Sequence, residues 1–274
     1  MMEYGVGHNA YAHLIKSVRD RYGYDFSQYA ETSIKRRIAH FMQSQRINRI
    51  EFLEDKLLND ESMFEAFVQG MSVTVTQMFR DPMFFKSLRQ LALKRLSTYP
   101  LIKIWIAGCA TGEEVYSVAI LLREIGLLDR SLIYATDMNQ QSLQIAKQGI
   151  YTIDAIKQYT ANYIASGGTG SFSSYYQAKF DAVLMDKRLK NRIIFSQHNL
   201  TADASFNEFQ LILCRNVLMY FKRLMQNRIV TLFHDSLCHF GLLGLGDKES
   251  LMFSETVKLF VEIDRRQKIY MKVN

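Results

Sequence analysis

The fold is decided by the stretch 101-LIKIWIAGCATGEEVYSVAILLREIG-126. Its first apolar run, IKIWIA, ends at Gly108, and a second apolar run, at helical spacing, begins after Glu114. This pattern predicts a buried strand, a tight glycine turn and an amphipathic helix. Two adjacent carboxylates, Glu113 and Glu114, stand at the mouth of the turn, and their role has to be explained.

The pattern of an apolar strand followed by an amphipathic helix recurs along the rest of the chain. The later predicted strands are LIYATD, FQLILC, LLGLG and KIYMKV, and the predicted helices are NQQSLQIAKQGI and QNRIVTLFHDSLCHF. Strands that alternate with helices predict a mainly parallel sheet with helices on both faces. Residues 150–198 are less regular and predict a small antiparallel β excursion, and GGTGSFSS at 167–174 predicts a flexible loop.

The chain before the quoted stretch is predicted to be helical. Its clearest helix has apolar residues at amphipathic spacing, namely Ile34, Ile38, Phe41 and Met42. A break follows at Asp81-Pro82, because the residue before a proline is disfavoured in a helix. We therefore expect a small all-α N-terminal domain with its linker, residues 1–84, followed by an α/β, Rossmann-like domain, residues 85–274.

The composition is that of a globular protein with a sizeable core. The 274 residues are 48% hydrophobic and 22% charged, and no apolar run is long enough to predict a membrane span. The N-terminus lacks a signal-peptide pattern, and the three cysteines show no metal-binding spacing, so we expect reduced thiols, a cytoplasmic location and no metal. The formal charge of +7 suggests an acidic partner, either nucleic acid or protein.

The chemistry of the glycine turn restricts the ligand. In doubly wound sheets, ligands bind outside the carboxyl ends of the strands, where this turn is expected to lie. Two glutamates would repel a phosphate but suit a cation or hydroxyl groups, and Asp137, at the end of the next strand, is placed to bind ribose hydroxyls. These features fit S-adenosylmethionine (SAM). The alternative is that Glu113 and Glu114 only stabilise the helix N-terminus through the helix dipole.

Four segments, in order, resemble the motifs of the CheR family, the chemotaxis receptor methyltransferases. They are 72-SVTVTQMFRDPMFF-85, GCATGEEVYSVA, 134-YATDMNQQSLQIAKQGIY-151 and 213-LCRNVLMYF-221. In addition, HNL at 198–200 resembles the family's N-L motif. The similarity extends over nearly the whole chain, including the helical region and the β excursion.

The resemblance implies a SAM-dependent methyltransferase domain that esterifies glutamate side chains on the cytoplasmic helices of bacterial chemoreceptors and releases S-adenosylhomocysteine (SAH). The residues implied to contact the cofactor are Thr74, Thr76, Arg80, Glu114, Asp137, Asn199, Leu200, Arg215 and Asn216. Thr74 departs from the family pattern, which usually has Asn there. The shorter reach of the hydroxyl makes SAM affinity the property that this departure affects most.

Two residues are implied to act in methyl transfer itself. Arg80 is expected to orient a carboxylate with its planar guanidinium group. Tyr220 is the second candidate near the methyl group. The alternative for Arg80 is a salt bridge to Asp81 or a place on a helix face. The alternative for Tyr220 is a packed ring at the sheet edge.

A basic helix is the candidate surface for docking the receptor. It carries Lys35, Arg36, Arg37 and Arg46, which would attract the acidic helices of a chemoreceptor. The alternatives are a solvated charged face or a nucleic-acid surface, and the chain lacks the N-P-P-Y and Pro-Cys motifs of nucleic-acid methyltransferases. We expect a monomer that neither binds nucleic acid nor inserts into a membrane. A non-catalytic SAM-binding signalling module is the other functional hypothesis.

Overall fold

The computed structural model describes residues 8–71, 76–252 and 255–273. The chain divides into two compact units. The first comprises Met1–Val73 and Met219–Met225, and the second comprises Thr74–Leu218 and Gln226–Asn274. The boundary between residues 84 and 85 stays a prediction.

The first unit is all-α, as the sequence predicted. Its helices are α1 (His8–Tyr22), α2 (Glu31–Ser44), α3 (Ile50–Asn59) and α4 (Glu61–Met71). Aromatic rings form much of its core, with Phe67 meeting Phe26 and Phe41 edge-to-face at centroid distances of 5.9 and 5.3 Å. The periodic apolar positions of α2 face this core, so helix spacing alone places the buried face.

A later segment of the chain completes the first unit. The amide of Ala30 donates to the carbonyl of Tyr220, and the amide of Lys222 donates to the carbonyl of Gln28, both at 2.8 Å. These bonds form an antiparallel bridge that brings Tyr220 into the helical unit. No local sequence pattern could predict this pairing, because the two segments lie almost 200 residues apart.

The second unit contains two sheets. The seven-stranded sheet has the order β6-β2-β1-β7-β8-β10-β9, and the three-stranded sheet has the order β3-β5-β4. The strands are β1 (Ile102–Ala107), β2 (Ser131–Asp137), β3 (Ile150–Thr152), β4 (Tyr176–Lys179), β5 (Ala182–Met185), β6 (Ile193–Gln197), β7 (Phe209–Cys214), β8 (Leu237–Leu245), β9 (Phe260–Asp264) and β10 (Ile269–Lys272).

The large sheet is mainly parallel and the small sheet is antiparallel, which confirms the predicted fold class. Strands β6, β2, β1, β7 and β8 run parallel, and β10 and β9 add an antiparallel edge. The accompanying helices are α5 (Pro82–Arg95), α6 (Glu113–Glu124), α7 (Gln140–Gln148), α8 (Ile153–Ala165), α9 (Lys187–Lys190) and α10 (Arg223–Ser236). Within the described residues, no helix is both long and apolar enough to cross a bilayer.

The order of the strands creates a switch point in the sheet. From β1 the chain proceeds to β2 and later β6 on one side, and then crosses to β7 on the other side. The chain therefore leaves the carboxyl ends of β1 and β7 in opposite directions. Doubly wound sheets bind ligands at such a point, outside the carboxyl ends of the two strands. The glycine turn follows β1, and the C-R-N motif follows β7.

The end of α10 differs from the sequence prediction. The helix ends at Ser236, and the residues LCHF begin β8 instead of finishing the helix. The apolar run of β8 pairs with β7, and this pairing outweighs the local helical pattern. Phe240, with φ of 63°, lies in the early part of the strand, where the register between β7 and β8 is irregular.

The predicted flexible loop at 167–174 is held in place by one buried carboxylate. Glu124, whose side chain is 4% exposed, forms an ion pair with Arg89 at 2.6 Å. It also accepts hydrogen bonds from the Tyr175 hydroxyl at 3.0 Å and from the amides of Thr169 and Gly170 at 3.1 and 3.2 Å. The end of the segment forms a short 3-10 helix at Phe172–Tyr175, so the loop is shorter than predicted, and its flexibility stays a prediction.

We expect Glu124→Ala to lower the free energy of unfolding by about 3 kcal/mol, because it leaves buried Arg89 without its partner. Burial opposes ionisation, but the donors from Tyr163 and Arg89 lower the pKa of Glu124 below its ordinary value of 4.5. A lowered pKa stabilises the fold above that value, and the contribution is lost as the pH falls through the folded pKa. Urea denaturation should therefore show a wild-type advantage at neutral pH that shrinks well below pH 4.5. An equal advantage at both pH values would contradict this explanation.

Candidate functional site

The glycine turn after β1 is a tightly packed, partly strained loop. Gly108 and Gly112 have φ of 74° and 93°, and non-glycine Ala110 also lies in the left-handed region at 46°. A Cβ on Gly108 would lie 2.6 Å from Val217, and one on Gly112 would lie 2.7 Å from Ala146. Both glycines are needed because neighbouring segments press directly against the backbone.

Asp137 lies at the end of β2, beside this turn. One carboxylate oxygen accepts from the amide of Ala110 and the other accepts from the amide of Asn139, both at 2.9 Å. Burial raises the pKa of Asp137, although these backbone donors act in the opposite direction. Each carboxylate oxygen can accept more than one hydrogen bond, so the fixed Asp137 keeps acceptor capacity for ligand hydroxyls.

The two glutamates of the turn have different surroundings. Glu113 is buried and accepts hydrogen bonds from the hydroxyls of Thr111 at 2.6 Å and Tyr159 at 3.3 Å. Burial raises its pKa. Its bonds tie the glycine turn to α8, which is a structural role. Stabilisation of the helix N-terminus, the alternative role, therefore explains Glu113 only in part, because the distant residue Tyr159 also bonds to its side chain.

Glu114 belongs to an ion-pair network centred on Arg215. Arg215 Nη1 donates to Glu114, and Nη2 donates to Asp81, each at 2.8 Å. Nη2 also lies 3.2 Å from the carbonyl oxygen of Arg80, and the guanidinium stacks on the Phe84 ring at 4.0 Å. Only 1% of the Arg215 side chain is exposed, compared with 14% of Glu114.

The network is asymmetric in charge. Burial raises the pKa of Glu114, and Arg215 only partly opposes this effect. Asp81 and a further carboxylate, Glu249, add negative charge near Glu114. The Nε–H of Arg215 is buried and has no acceptor among the described residues. The site therefore combines a surplus of carboxylates with one buried, unused donor.

The turn that carries Arg80 is anchored to α6. The amide of Phe79 donates to the Ser117 hydroxyl at 2.8 Å, and the Asn162 side chain donates to the carbonyl of Met78 at 3.0 Å. Asp81 has φ of 57°, and left-handed Phe79 has φ of 54°. Strained residues on both sides of Arg80 are typical of a functional turn.

The H-N-L segment lies at the end of β6, next to β2. The amide of His198 donates to the carbonyl of Asp137 at 3.2 Å. The side-chain oxygen of Asn199 accepts from the amide and the hydroxyl of Thr201, at 3.0 and 2.8 Å. Asn199 thus caps a turn, and Leu200 beside it is buried.

Comparisons with known protein families match two parts of the chain. Residues 9–72 match the all-alpha domain of CheR methyltransferases, and residues 74–267 match their SAM binding domain. The chain belongs to the CheR family of SAM-dependent methyltransferases.

Three relatives illustrate the range of similarity. The "Putative methyltransferase Cher3" of Pseudomonas putida is 46% identical over 259 residues, which is 94% of this chain and 95% of the relative. The "Chemotaxis protein methyltransferase" of Listeria innocua is 27% identical over 245 residues, 88% of this chain and 90% of the relative. The protein of the same name from Salmonella typhimurium is 30% identical over 205 residues, 72% of this chain and 67% of the relative.

Most of the CheR-family positions named from the sequence come from one region of the second unit. Glu114 and Arg215 are in direct contact, and Asp137 contacts the glycine turn and His198. Half-buried Thr76 precedes the Arg80 turn, and Thr74 lies outside the described residues. The cofactor role of each position stays a prediction.

Tyr220 belongs to the first unit. Its ring lies under the Arg37 guanidinium, with 4.4 Å between Arg37 Cζ and the ring centroid. Arg37 also donates to the carbonyl of Met71. The alternative of a packed ring at the sheet edge is therefore met in part. The Tyr220 ring is packed, but against an arginine of the helical unit.

The predicted docking surface needs one correction. Arg37 is 8% exposed and points into the helical unit, so it is not part of a solvent-facing basic surface. Arg36 and Arg46 are exposed, and Lys35 is half-buried and pairs with Glu31 at 2.5 Å. Arg37 was misassigned because three consecutive helical residues, Lys35, Arg36 and Arg37, cannot share one face, and the apolar residues on the side of Arg37 turn it inward. Arg46 lies beyond the end of α2.

Two residues of the site were missed by the sequence reasoning. Asp81 was considered only as a partner of Arg80, but it pairs with Arg215. Glu249 was not considered, although its signal was present. It lies four residues after Leu245, the last residue of β8, at the carboxyl end of a parallel strand, which is the rule that identified Asp137.

We expect Arg215→Met to lower the free energy of unfolding by about 3 kcal/mol at neutral pH, because Glu114 then stays buried without a cation. Protonation neutralises Glu114, whose pKa burial already raises, so the loss should shrink as the pH falls from neutral towards the ordinary value of 4.5. Urea denaturation at both pH values measures this difference. A loss that does not change with pH would show that shape, and not charge, makes Arg215 necessary.

Proposed function

We propose that this enzyme transfers the methyl group of SAM to glutamate side-chain carboxylates of bacterial chemoreceptors, forming the methyl esters used in chemotactic adaptation. The observation that carries the proposal is the group of carboxylates around buried Arg215 at the switch point of the sheet. Family membership supports the use of SAM, and the names of the Listeria and Salmonella relatives support a chemotaxis substrate.

The residues at the switch point fit SAM. The cofactor carries a sulfonium and an ammonium group, and the surplus of carboxylates around Arg215 favours a cationic ligand. Asp137 keeps acceptor capacity that suits ribose hydroxyls. The buried Nε–H of Arg215, which has no acceptor in the described part of the chain, suits an acceptor group on the ligand. Glu114, Asp137 and Arg215 are therefore the residues that would hold it.

The chemistry requires little from acid–base groups. Bound SAM supplies an electrophilic methyl group on a positively charged sulfur. A glutamate side chain is already ionised near neutral pH, because its ordinary pKa lies well below 7, so the protein need not supply a general base. As methyl transfer proceeds, the negative charge of the carboxylate and the positive charge of the sulfonium neutralise each other. Water stabilises both charges and therefore opposes the reaction, so the protein contributes mainly alignment and the exclusion of water.

Arg80 is the proposed orienting residue for the substrate carboxylate. Its planar guanidinium can hold a carboxylate in a fixed direction. The two anchored, strained residues beside it fix the turn from which its side chain extends. Tyr220 is the second proposed residue near the methyl group, and exposed Arg36 and Arg46 are proposed to attract acidic receptor helices in the cytoplasm.

We expect base-labile label on the receptor when the purified protein is incubated with methyl-labelled SAM and membranes that carry chemoreceptors. Carboxyl methyl esters release volatile methanol in mild base, whereas methylated amines and nucleobases do not. Arg80→Ala should lose at least about tenfold in rate because the attacking carboxylate is no longer aligned. The matched control is Arg265→Ala, which removes an exposed arginine.

The possible results separate the hypotheses. Base-labile label that is lost in Arg80→Ala and kept in Arg265→Ala supports the proposal. SAM binding without transfer to any receptor tested would favour a non-catalytic signalling module. Base-stable label on another macromolecule would contradict glutamate methylation.

A second prediction uses the adjacent glutamates as a matched pair. Glu114→Gln removes the charge that pairs with Arg215 and should weaken SAM binding about tenfold. Glu113→Gln should change SAM affinity less than about threefold, because Glu113 bonds to Thr111 and Tyr159. Isothermal titration calorimetry measures both. The reverse order of effects would show that the wrong glutamate has been assigned to the cofactor.

A further inference from the structure

One buried carboxylate of the surplus around Arg215 has so far been given no role of its own. Glu249 is 5% exposed and lies just after β8. Its Oε2 accepts hydrogen bonds from the amide of Asn216 at 2.9 Å and from the amide of Gly246 at 2.7 Å. A single oxygen atom therefore joins the turn after β7 to the turn after β8.

The geometry of both turns depends on this oxygen. Asn216 has φ of 61°, in the left-handed region, which asparagine adopts more readily than other non-glycine residues do. Its amide points at the carboxylate, and a bond to an ionised acceptor is among the stronger hydrogen bonds in proteins. The bond that Asn216 donates to Glu249 thus adds to the stability of a left-handed conformation that asparagine can adopt.

The close approach of Gly246 completes the arrangement. A Cβ on Gly246 would lie 2.7 Å from the amide nitrogen of Asn216 and 2.8 Å from the carboxylate of Glu249. The amide of Glu249 also donates to the carbonyl of Gly246 at 3.0 Å. Gly246 and Glu249 therefore form a compact turn that lies directly against Asn216.

The charge of Glu249 acts on the network around Arg215. Burial is the main cause of the raised pKa of Glu114, and the nearby charge of Glu249 acts in the same direction. The amides of Asn216 and Gly246 need an acceptor in this buried position.

We propose that Glu249 is a positioning residue of the cofactor site, whose carboxylate holds the Arg215–Asn216 turn in the conformation that meets SAM. The inference rests on the proposed function, because it takes the switch point as the SAM site. Glu249 acts through the backbone of Asn216, and Arg215, immediately before it, carries the network with Glu114 and Asp81.

The test compares three variants by titration calorimetry with SAH. Glu249→Ala removes the acceptor and should weaken binding about tenfold or more. Glu249→Gln should stay within about threefold of wild type, because both bonds go to one oxygen and an amide oxygen can accept both. Glu262→Gln is the matched control, since it changes an exposed glutamate whose nearest cation, Arg265, is 3.8 Å away.

A spectroscopic signature separates positioning from general destabilisation. In wild type, the amide protons of Asn216 and Gly246 should resonate downfield and exchange slowly, because both donate to a buried carboxylate. Both features should weaken in Glu249→Ala while amides of β1 and β2 keep their shifts. Gly246→Ala provides a second variant, since its Cβ would displace the amide of Asn216 from Glu249.

The outcomes distinguish failure of the proposed function from failure of the positioning role of Glu249. If wild type does not bind SAH, the proposed function fails. If wild type binds and Glu249→Ala binds equally well, the positioning role is refuted while the proposed function stands. If Glu249→Ala does not fold, Gly246→Ala decides: weaker binding with a shifted Asn216 amide supports the role, and unchanged binding overturns it.

Discussion

A single buried guanidinium joins segments that are far apart in the chain. Arg215, after β7, contacts Glu114 at the start of α6 and Asp81 at the start of α5. Because all three meet beside the ends of β1 and β7, the glycine turn, the Arg80 turn and the C-R-N motif are fixed relative to one another. A guanidinium suits this task because it donates in several directions within one plane, whereas lysine offers a point charge.

The sequence predicted the architecture because the signals for the large sheet are local. Each parallel strand is a short apolar run followed by an amphipathic helix, and IKIWIA, LIYATD and FQLILC all became strands. The mistakes occurred where distant contacts decide the structure. LCHF joined β8 because β7 lies beside it, and two amides of the segment at 167–174 bond to Glu124, more than 40 residues earlier.

Several residues of the candidate site were predicted from the sequence, but only some of their contacts were. Strand-end reasoning and the family motifs named Glu114, Asp137 and Arg215, and the structure brings Glu114 and Arg215 into contact. Reading charges along a helix failed for Arg37, because a guanidinium can lie inside a unit when it stacks on an aromatic ring and donates to a carbonyl. Glu249 could have been identified by applying the strand-end rule to β8 as well.

The central claim is that SAM binds where β1 and β7 end, and hydrogen exchange measured by mass spectrometry with and without SAH tests it directly. The account predicts slower exchange on ligand binding in two peptides, one covering the turn after β1 at residues 108–114 and one covering the turn after β7 at residues 214–217. Little change is expected at the β4–β5 hairpin. Protection confined to another region, with these two turns unaffected, would contradict the assignment of the site.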